Sequence, residues 1–170
     1  SILSRLLDLF PGNYGKFISL HFAPYLNARV ATDEQQDAFE TIIDFLDGVN
    51  IVIPDDLKEY LDDAAKTIDL VDVSKKAAAS VAAAIQDPEQ YLKDNREMFE
   101  RYKEVKTSDA YKNTPGYRLQ ELFAQLNREN GYNDVFIPAM RRLSSSYREY
   151  YEKLLKANEV FLKSYRGVRF

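Results

Sequence analysis

Apolar side chains recur at steps of three and four residues along most of the chain, and this spacing is typical of α-helices with one buried face. In the segment 14–26, every fourth residue is apolar or aromatic. The short apolar run 51–53 would have no partner as a lone strand. The pattern therefore predicts an all-α protein, a single irregular helical domain over residues 1–170 with about seven to nine helices and a long C-terminal helix.

Capping residues predict where several helices begin and end. Thr32 can accept a hydrogen bond from the backbone of Gln35 while the Gln35 side chain reaches back, which is the capping-box arrangement. The pairs 87–88 and 114–115 place a capping Asp or Thr directly before a proline, which suits the first helical position. Gly131 is predicted to close the helix that begins at the second of these prolines.

Longer apolar faces predict four further helical stretches, over residues 54–71, 75–85, 88–105 and 138–166. The second of them is an alanine tract, and alanine is the strongest helix former. Its small side chains would let neighbouring helices approach closely, or would leave room beside them. The last stretch is the longest, and the serines at 144–146 are interpreted as a small polar patch within it.

Composition narrows the class of protein. Hydrophobic residues make up 45% and charged residues 29% of the 170 positions, which is typical of a folded domain. The chain has no cysteine, so a disulfide framework, a thiolate metal site and a cysteine nucleophile are excluded. No apolar run approaches the roughly 18 residues of a membrane-spanning helix.

Charge is distributed unevenly along the chain. Residues 32–72 hold thirteen acidic side chains and two basic ones, whereas residues 138–170 hold eight basic side chains and three acidic ones. These segments could attract each other within the fold, contact an anionic surface such as lipid headgroups, or simply face solvent. A nucleic-acid partner is not expected, because the isoelectric point is about 5.1 and nucleic-acid-binding domains usually exceed about 9.

Candidate catalytic chemistry is sparse. His21 is the single histidine, and it has no second ligand at metal-binding spacing. Asp55 and Asp56 are neighbours, so a helix would point them about 100° apart, and both suit a helix N-terminus. The serines at 144–146 have no histidine near them and match no nucleophile motif. We therefore expect no enzyme activity, no catalytic residue, no metal site and no cofactor.

One N-terminal segment carries a pattern that is found in a known family. Its positions are Pro11, Tyr14, Ile18, Phe22, Leu26, Thr32 and Asp33. With this spacing the segment resembles the N-terminal part of the nematode fatty-acid- and retinol-binding proteins, and the chain length and lack of cysteine are also similar. The segment departs from that pattern at Ser19, where the family commonly has a proline. The similarity covers about a fifth of the chain, up to Ile43.

The resemblance implies a secreted, helical, non-enzymatic carrier that holds a fatty acid or retinoid in an internal apolar cavity. The chain begins at Ser1, as it would after removal of a signal peptide or in a shortened chain. A ligand carboxylate would favour a nearby cation. The candidate ligand-binding residues are Lys16, Phe22, Leu26, Arg29, Phe39, Ile43, Arg141 and Arg142.

A second hypothesis is a helical structural or protein-interaction module with no small-molecule ligand. The uneven charge and the tyrosine-rich final helix motivate it. On this view the protein partner, or a peripheral contact with a membrane, would meet the basic C-terminal face. An apolar cavity in the folded protein would favour the carrier, and a filled core would favour the module.

Overall fold

The computed structural model describes residues 1–9, 12–27, 29–166 and 168, without the side chains of residues 12–14. These residues form helices and no strand, which confirms the predicted all-α class. Ten α-helices follow one another in the described chain: α1 (Ile2–Leu9), α2 (Gly12–Phe22), α3 (Asp33–Gly48), α4 (Asp55–Ala65), α5 (Leu70–Gln86), α6 (Pro88–Asp94), α7 (Arg96–Thr107), α8 (Pro115–Asn130), α9 (Ile137–Leu143) and α10 (Ser145–Ser164). Short 3-10 turns at Ala23–Tyr25 and Asp109–Asn113 and a π-helical turn at Tyr132–Phe136 complete the described helices.

The predicted caps are confirmed. The Thr32 hydroxyl accepts from the Gln35 N–H at 3.1 Å, and the Gln35 side chain accepts from the Thr32 N–H at 3.1 Å. Asp87 and Thr114 each accept from the backbone N–H three residues on, at 3.1 and 3.2 Å. Gly131 ends α8 with φ of 73°, a left-handed conformation that glycine adopts without steric cost.

Two of the predicted long helices are divided in the structure. The stretch 54–71 breaks after Ala65, because the Asp69 carboxylate accepts from the N–H groups of Val71 and Asp72 and starts α5. The stretch 88–105 breaks at Asn95, whose side-chain amide donates to the carbonyl of the residue four positions earlier at 2.9 Å. Polar side chains that bond to the nearby backbone compete with helix continuation. The break at Asn95, and a further one at Ser144, each add a helix, so the helix count exceeds the predicted seven to nine, whereas residues 70–71 join the helix of the alanine tract.

The final helical stretch is also divided, which corrects the interpretation of the serines at 144–146. Ser144 is extended, with φ of −127° and ψ of 115°, and its hydroxyl accepts from the Tyr147 N–H at 3.2 Å. The patch is therefore the cap that starts α10, and not part of a continuous helix. At 20 residues α10 is still the longest helix of the described chain, as predicted.

Ion pairs tie several helices together at the surface. Asp55 and Asp56 both lie in the first turn of α4, as expected from the helix dipole. Asp56 also accepts two hydrogen bonds from the Arg118 guanidinium on α8, at 2.7 and 3.0 Å. These hydrogen bonds hold the pKa of the Asp56 carboxyl below its ordinary value. Arg142 of the basic segment and Asp37 of the acidic segment have side-chain nitrogen and oxygen atoms 3.9 Å apart, which agrees with mutual attraction, one of the roles that the sequence left open for these segments.

The first hydrophobic core is built around α9. This helix packs against α3, α10 and the π-helical turn, and four of its seven residues are buried. Ala38 of α3 and Ala139 of α9 are completely buried, and their small side chains let the two helix backbones approach closely. Side chains from α1, α2 and α8 close this core from the other sides.

A second hydrophobic core lies towards the C-terminal half of α10. It contains Ala84 of α5, Phe99 of α7, and Ala157 and Phe161 of α10. The helix α10 takes part in both cores, since Tyr147 near its start belongs to the first one. None of the helices in the described ranges combines the length and the apolar character that a membrane-spanning helix needs.

Candidate functional site

An apolar groove with a volume of about 470 Å³ lies beside the second core, between α5, α6, α7 and α10. We call it the α5–α10 groove. Val81 and Ile85 of α5 form one wall, Phe99 of α7 forms another, and Leu154 and Phe161 of α10 form the floor. None of its fourteen lining residues carries a charge at neutral pH. The groove is therefore suited to a molecule that is mostly hydrocarbon.

The alanine tract contributes Ala84 to the lining of the groove. Ala84 is the only buried residue of α5, although the helix is 17 residues long. Residues 77–79 of the same helix are exposed. Alanine side chains are too short to fill the space between this helix and its neighbours, so room is left beside α5. The sequence pattern had left open whether the tract allows close packing or leaves space, and the structure shows space.

Packed aromatic rings form part of the groove lining. The Phe99 and Phe161 ring centroids are 5.1 Å apart, and Tyr165 of the second core stacks on Phe99 at 5.5 Å. Met98 and Leu155, which also line the groove, are 49% and 43% exposed and form its rim. The groove therefore combines packed aromatic side chains with apolar side chains that face water.

Few polar groups border the groove. The Ser80 and Tyr91 hydroxyl oxygens are 2.7 Å apart and hydrogen-bonded to each other. The Tyr102 ring lines the groove, and the Lys106 ammonium lies 5.2 Å from the centroid of that ring. The same ammonium donates a hydrogen bond to the Tyr111 hydroxyl at 2.7 Å. Partial burial opposes its charge, but hydrogen bonds to Tyr111 and Tyr102 outweigh this and raise the pKa of Lys106. This cation is therefore charged at neutral pH and bonded beside the groove.

A second cavity of about 370 Å³ lies between α2, α5 and α10. His21 and Tyr150 border it, with ring centroids 5.9 Å apart, and Phe22 packs against His21 at 4.8 Å. Although His21 keeps an exposed edge, burial among these rings lowers the pKa of its imidazole below the ordinary value of 6.5. The His21 side chain is therefore neutral at neutral pH and brings no positive charge to the second cavity.

The groove and the second cavity have two residues in common. Val81 and Ile85 border both of them. On the facing helix α10, Tyr151 borders the groove and its neighbour Tyr150 borders the second cavity. The contact between α5 and α10 therefore lies between the two spaces.

The basic candidates from the sequence border neither of these spaces; they are Lys16, Arg29, Arg141 and Arg142. Lys16 and Arg29 are exposed. Arg141 lies 3.8 Å from a carboxylate oxygen of Glu152, and Arg142 lies near Asp37. Two of these cations are thus already paired with carboxylates of the protein.

The apolar candidates contribute to the first core. Phe22 is buried and borders a small cavity of about 170 Å³. Leu26 and Phe39 border a different cavity, of about 230 Å³, and Ile43 packs against the first core. The structure thus brings Leu26 and Phe39 together at a cavity that Phe22 does not border. The role of all eight residues in binding a ligand stays a prediction.

No protein-family model, no curated protein and no solved structure matches this chain. The resemblance to the nematode carriers therefore stays a prediction from the sequence segment alone. Within that segment Pro11 and the Tyr14 side chain lie outside the described residues. Ile18 and Leu26 pack against the first core, and Thr32 caps α3.

The residues around the groove were not singled out as a site by the sequence. The one signal that pointed to them was the alanine tract, which predicted either close helix packing or free space. The aromatic residues of α7 and α10 have the helical spacing of ordinary core positions, and residues that line a groove between helices have the same spacing.

In the described ranges, no group of three or more His, Asp and Glu side chains is arranged to hold a metal ion.

Proposed function

We propose that the protein is a non-enzymatic carrier that binds an elongated apolar molecule, such as a fatty acid or a retinoid, in the α5–α10 groove. The observation that carries this proposal is a concave space of about 470 Å³ with no charged residue in its lining. Small-molecule sites in proteins are typically about 300–1,000 Å³ in volume, mostly apolar, with a few polar groups that fix orientation. The resemblance of residues 11–43 to lipid-binding proteins supports the same ligand class.

The polar groups of the groove indicate how such a ligand would lie. An ionised carboxylate is strongly disfavoured among uncharged walls, so a fatty acid would keep its carboxylate at the open rim and place its chain inside. The hydroxyls of Ser80 and Tyr91 could instead exchange their mutual hydrogen bond for one to a ligand hydroxyl. The hydrocarbon would then contact the rings of Phe99 and Phe161 in the groove lining.

The proposal is tested by measuring displacement of a fluorescent fatty acid from the purified protein and from its Leu155→Asp variant. Leu155 borders the groove and is 43% exposed, so an aspartate there adds a charge to the site without disturbing a buried core. We expect affinity for palmitic acid to fall at least about tenfold, since a buried contact with two methylenes is worth roughly that factor.

Leu162→Asp is the matched control for this experiment. Leu162 lies on the same helix, is 37% exposed and does not border the groove. We expect the control to bind palmitic acid within about twofold of the unaltered protein. Equal binding of palmitic acid by both variants would show that the ligand-binding site is not the α5–α10 groove. No displacement by the unaltered protein, together with no lipid in its native mass spectrum, would refute the carrier.

A second candidate function is the helical protein-interaction module, and the exposed rim of the groove favours it. Met98 and Leu155 present apolar surface that an amphipathic helix of a partner protein could cover. In that case the purified protein would carry no lipid, and Leu155→Asp would abolish association with its partner. Native mass spectrometry separates the two functions, because only the carrier shows a mass increase of lipid size.

A further inference from the structure

The wall between the α5–α10 groove and the second cavity consists of few side chains. Val81 and Ile85 lie one helical turn apart on α5, are half-buried, and border both spaces. The alanines at 78 and 82, which border only the second cavity, add little bulk around them. The two spaces are therefore separated mainly by two branched side chains and the α5–α10 contact.

The wall between the two spaces opens more easily by displacement of the helix α5 than by rotation of its side chains. Val81 and Ile85 are β-branched, and in a helix such side chains are held close to one rotamer. The helix that carries them has one buried residue, Ala84, among its 17 positions. A small displacement of α5 away from α10 would thus join the two spaces at low cost, whereas rotation of the side chains would not.

We propose that the groove and the second cavity are two halves of one binding site, and that Val81 and Ile85 determine the length of hydrocarbon chain it accepts. This inference rests on the proposed carrier function. A short chain fills the groove alone. A longer chain passes between α5 and α10 and ends in the second cavity, beside Tyr25 and the neutral His21.

The test compares binding of lauric acid, which has a short chain, with binding of arachidic acid, which has a long one. Ala78 is exposed and borders the second cavity but not the groove. An Ala78→Phe substitution places a ring at the second cavity, where it takes up part of the space, without altering a buried residue. We expect it to leave lauric acid binding within about twofold and to weaken arachidic acid binding at least about tenfold, since several methylenes lose their contacts.

Ala79→Phe is the matched control, because Ala79 is exposed, lies in the same alanine tract and borders neither space. It should bind both acids as the unaltered protein does. The complementary variant Val81→Ala thins the wall and keeps a strong helix former in place. We expect it to raise the affinity for arachidic acid relative to lauric acid by at least about threefold, because more of the longer chain can then be buried past the thinner wall.

The outcomes separate the inference from the function on which it rests. If Ala78→Phe weakens both acids equally, or matches Ala79→Phe for both, the second cavity does not hold the chain and the inference is wrong. An unchanged ratio in Val81→Ala would contradict the role of the wall. If the unaltered protein binds neither acid, the carrier function itself fails.

Discussion

Ser144 determines where α10, the longest helix in the described part of the chain, begins. Its hydroxyl accepts from the Tyr147 N–H at 3.2 Å and is hydrogen-bonded to the Ser146 hydroxyl at 3.0 Å, while the residue is only 2% exposed. The bend at this residue turns the chain from α9 into α10. Tyr147 thereby reaches the first core, and Phe161, further along, reaches the second.

Replacing Ser144 by alanine should destabilise the whole fold. The substitution removes the cap of α10 and leaves a buried N–H without its acceptor, so we expect a loss of about 1–2 kcal/mol in the free energy of unfolding. For a protein of this size, that loss lowers Tm by roughly 2–8 °C. Urea unfolding followed by circular dichroism measures it.

Ser145→Ala is the control for the Ser144 variant. Ser145 is exposed and is the first residue of α10, so its replacement should change the free energy of unfolding by less than about 0.5 kcal/mol. Equal losses in the two variants would mean that the Ser144 cap contributes nothing special to the start of α10.

The helix α5 is held more weakly than its length suggests. One of its 17 residues is buried, whereas four of the seven residues of α9 are buried. Alanine favours the helical state of α5 locally, but a helix with few buried side chains gains little from tertiary packing. Such an element can open without unfolding the rest of the protein.

Hydrogen exchange should reveal this difference. We expect the backbone amides of α5 to exchange at least about tenfold faster than those of α9, because α5 opens locally and α9 opens with its core. A saturating concentration of palmitic acid should slow exchange in α5 and leave α9 unchanged. Mass spectrometry of peptic peptides from the two helices measures both effects, and equal protection of α5 and α9 without ligand would contradict the account.

Two hydrophobic cores share one long helix in this molecule. The first core surrounds α9 and the second surrounds the C-terminal half of α10. Phe161 is 8% exposed and contacts the ring of Phe99 in the second core, while Phe136 is completely buried in the first. The groove lies at the second core, so its shape depends on that core more than on the first.

Truncating one aromatic residue in each core tests how independent they are. Phe161→Ala and Phe136→Ala should each cost about 3–5 kcal/mol in the free energy of unfolding. We expect Phe161→Ala to raise hydrogen exchange mainly in α6 and α7, and Phe136→Ala to raise it mainly in α3 and α9. A uniform loss of protection in both variants would show that the two cores unfold together.

Local signals in the chain account for much of the fold. A few residues each predict the capping box at Thr32, the cap-then-proline pair at 114–115 and the end of α8 at Gly131, and the structure confirms them. The divisions at Asn95 and Ser144 were missed, because apolar spacing continues across both positions. At these points, side-chain hydrogen bonds to the backbone outweighed helical periodicity.

The helical class, the start of many helices and the scarcity of catalytic residue patterns can all be read from the order of the amino acids. Those properties depend on neighbours within a few positions along the chain. The space beside the alanine tract, the position of Val81 and Ile85 between two cavities and the place of Phe22 in a core follow from the three-dimensional packing of the helices. A cavity is a gap between helices that are distant in sequence, and its shape depends on how their side chains pack together.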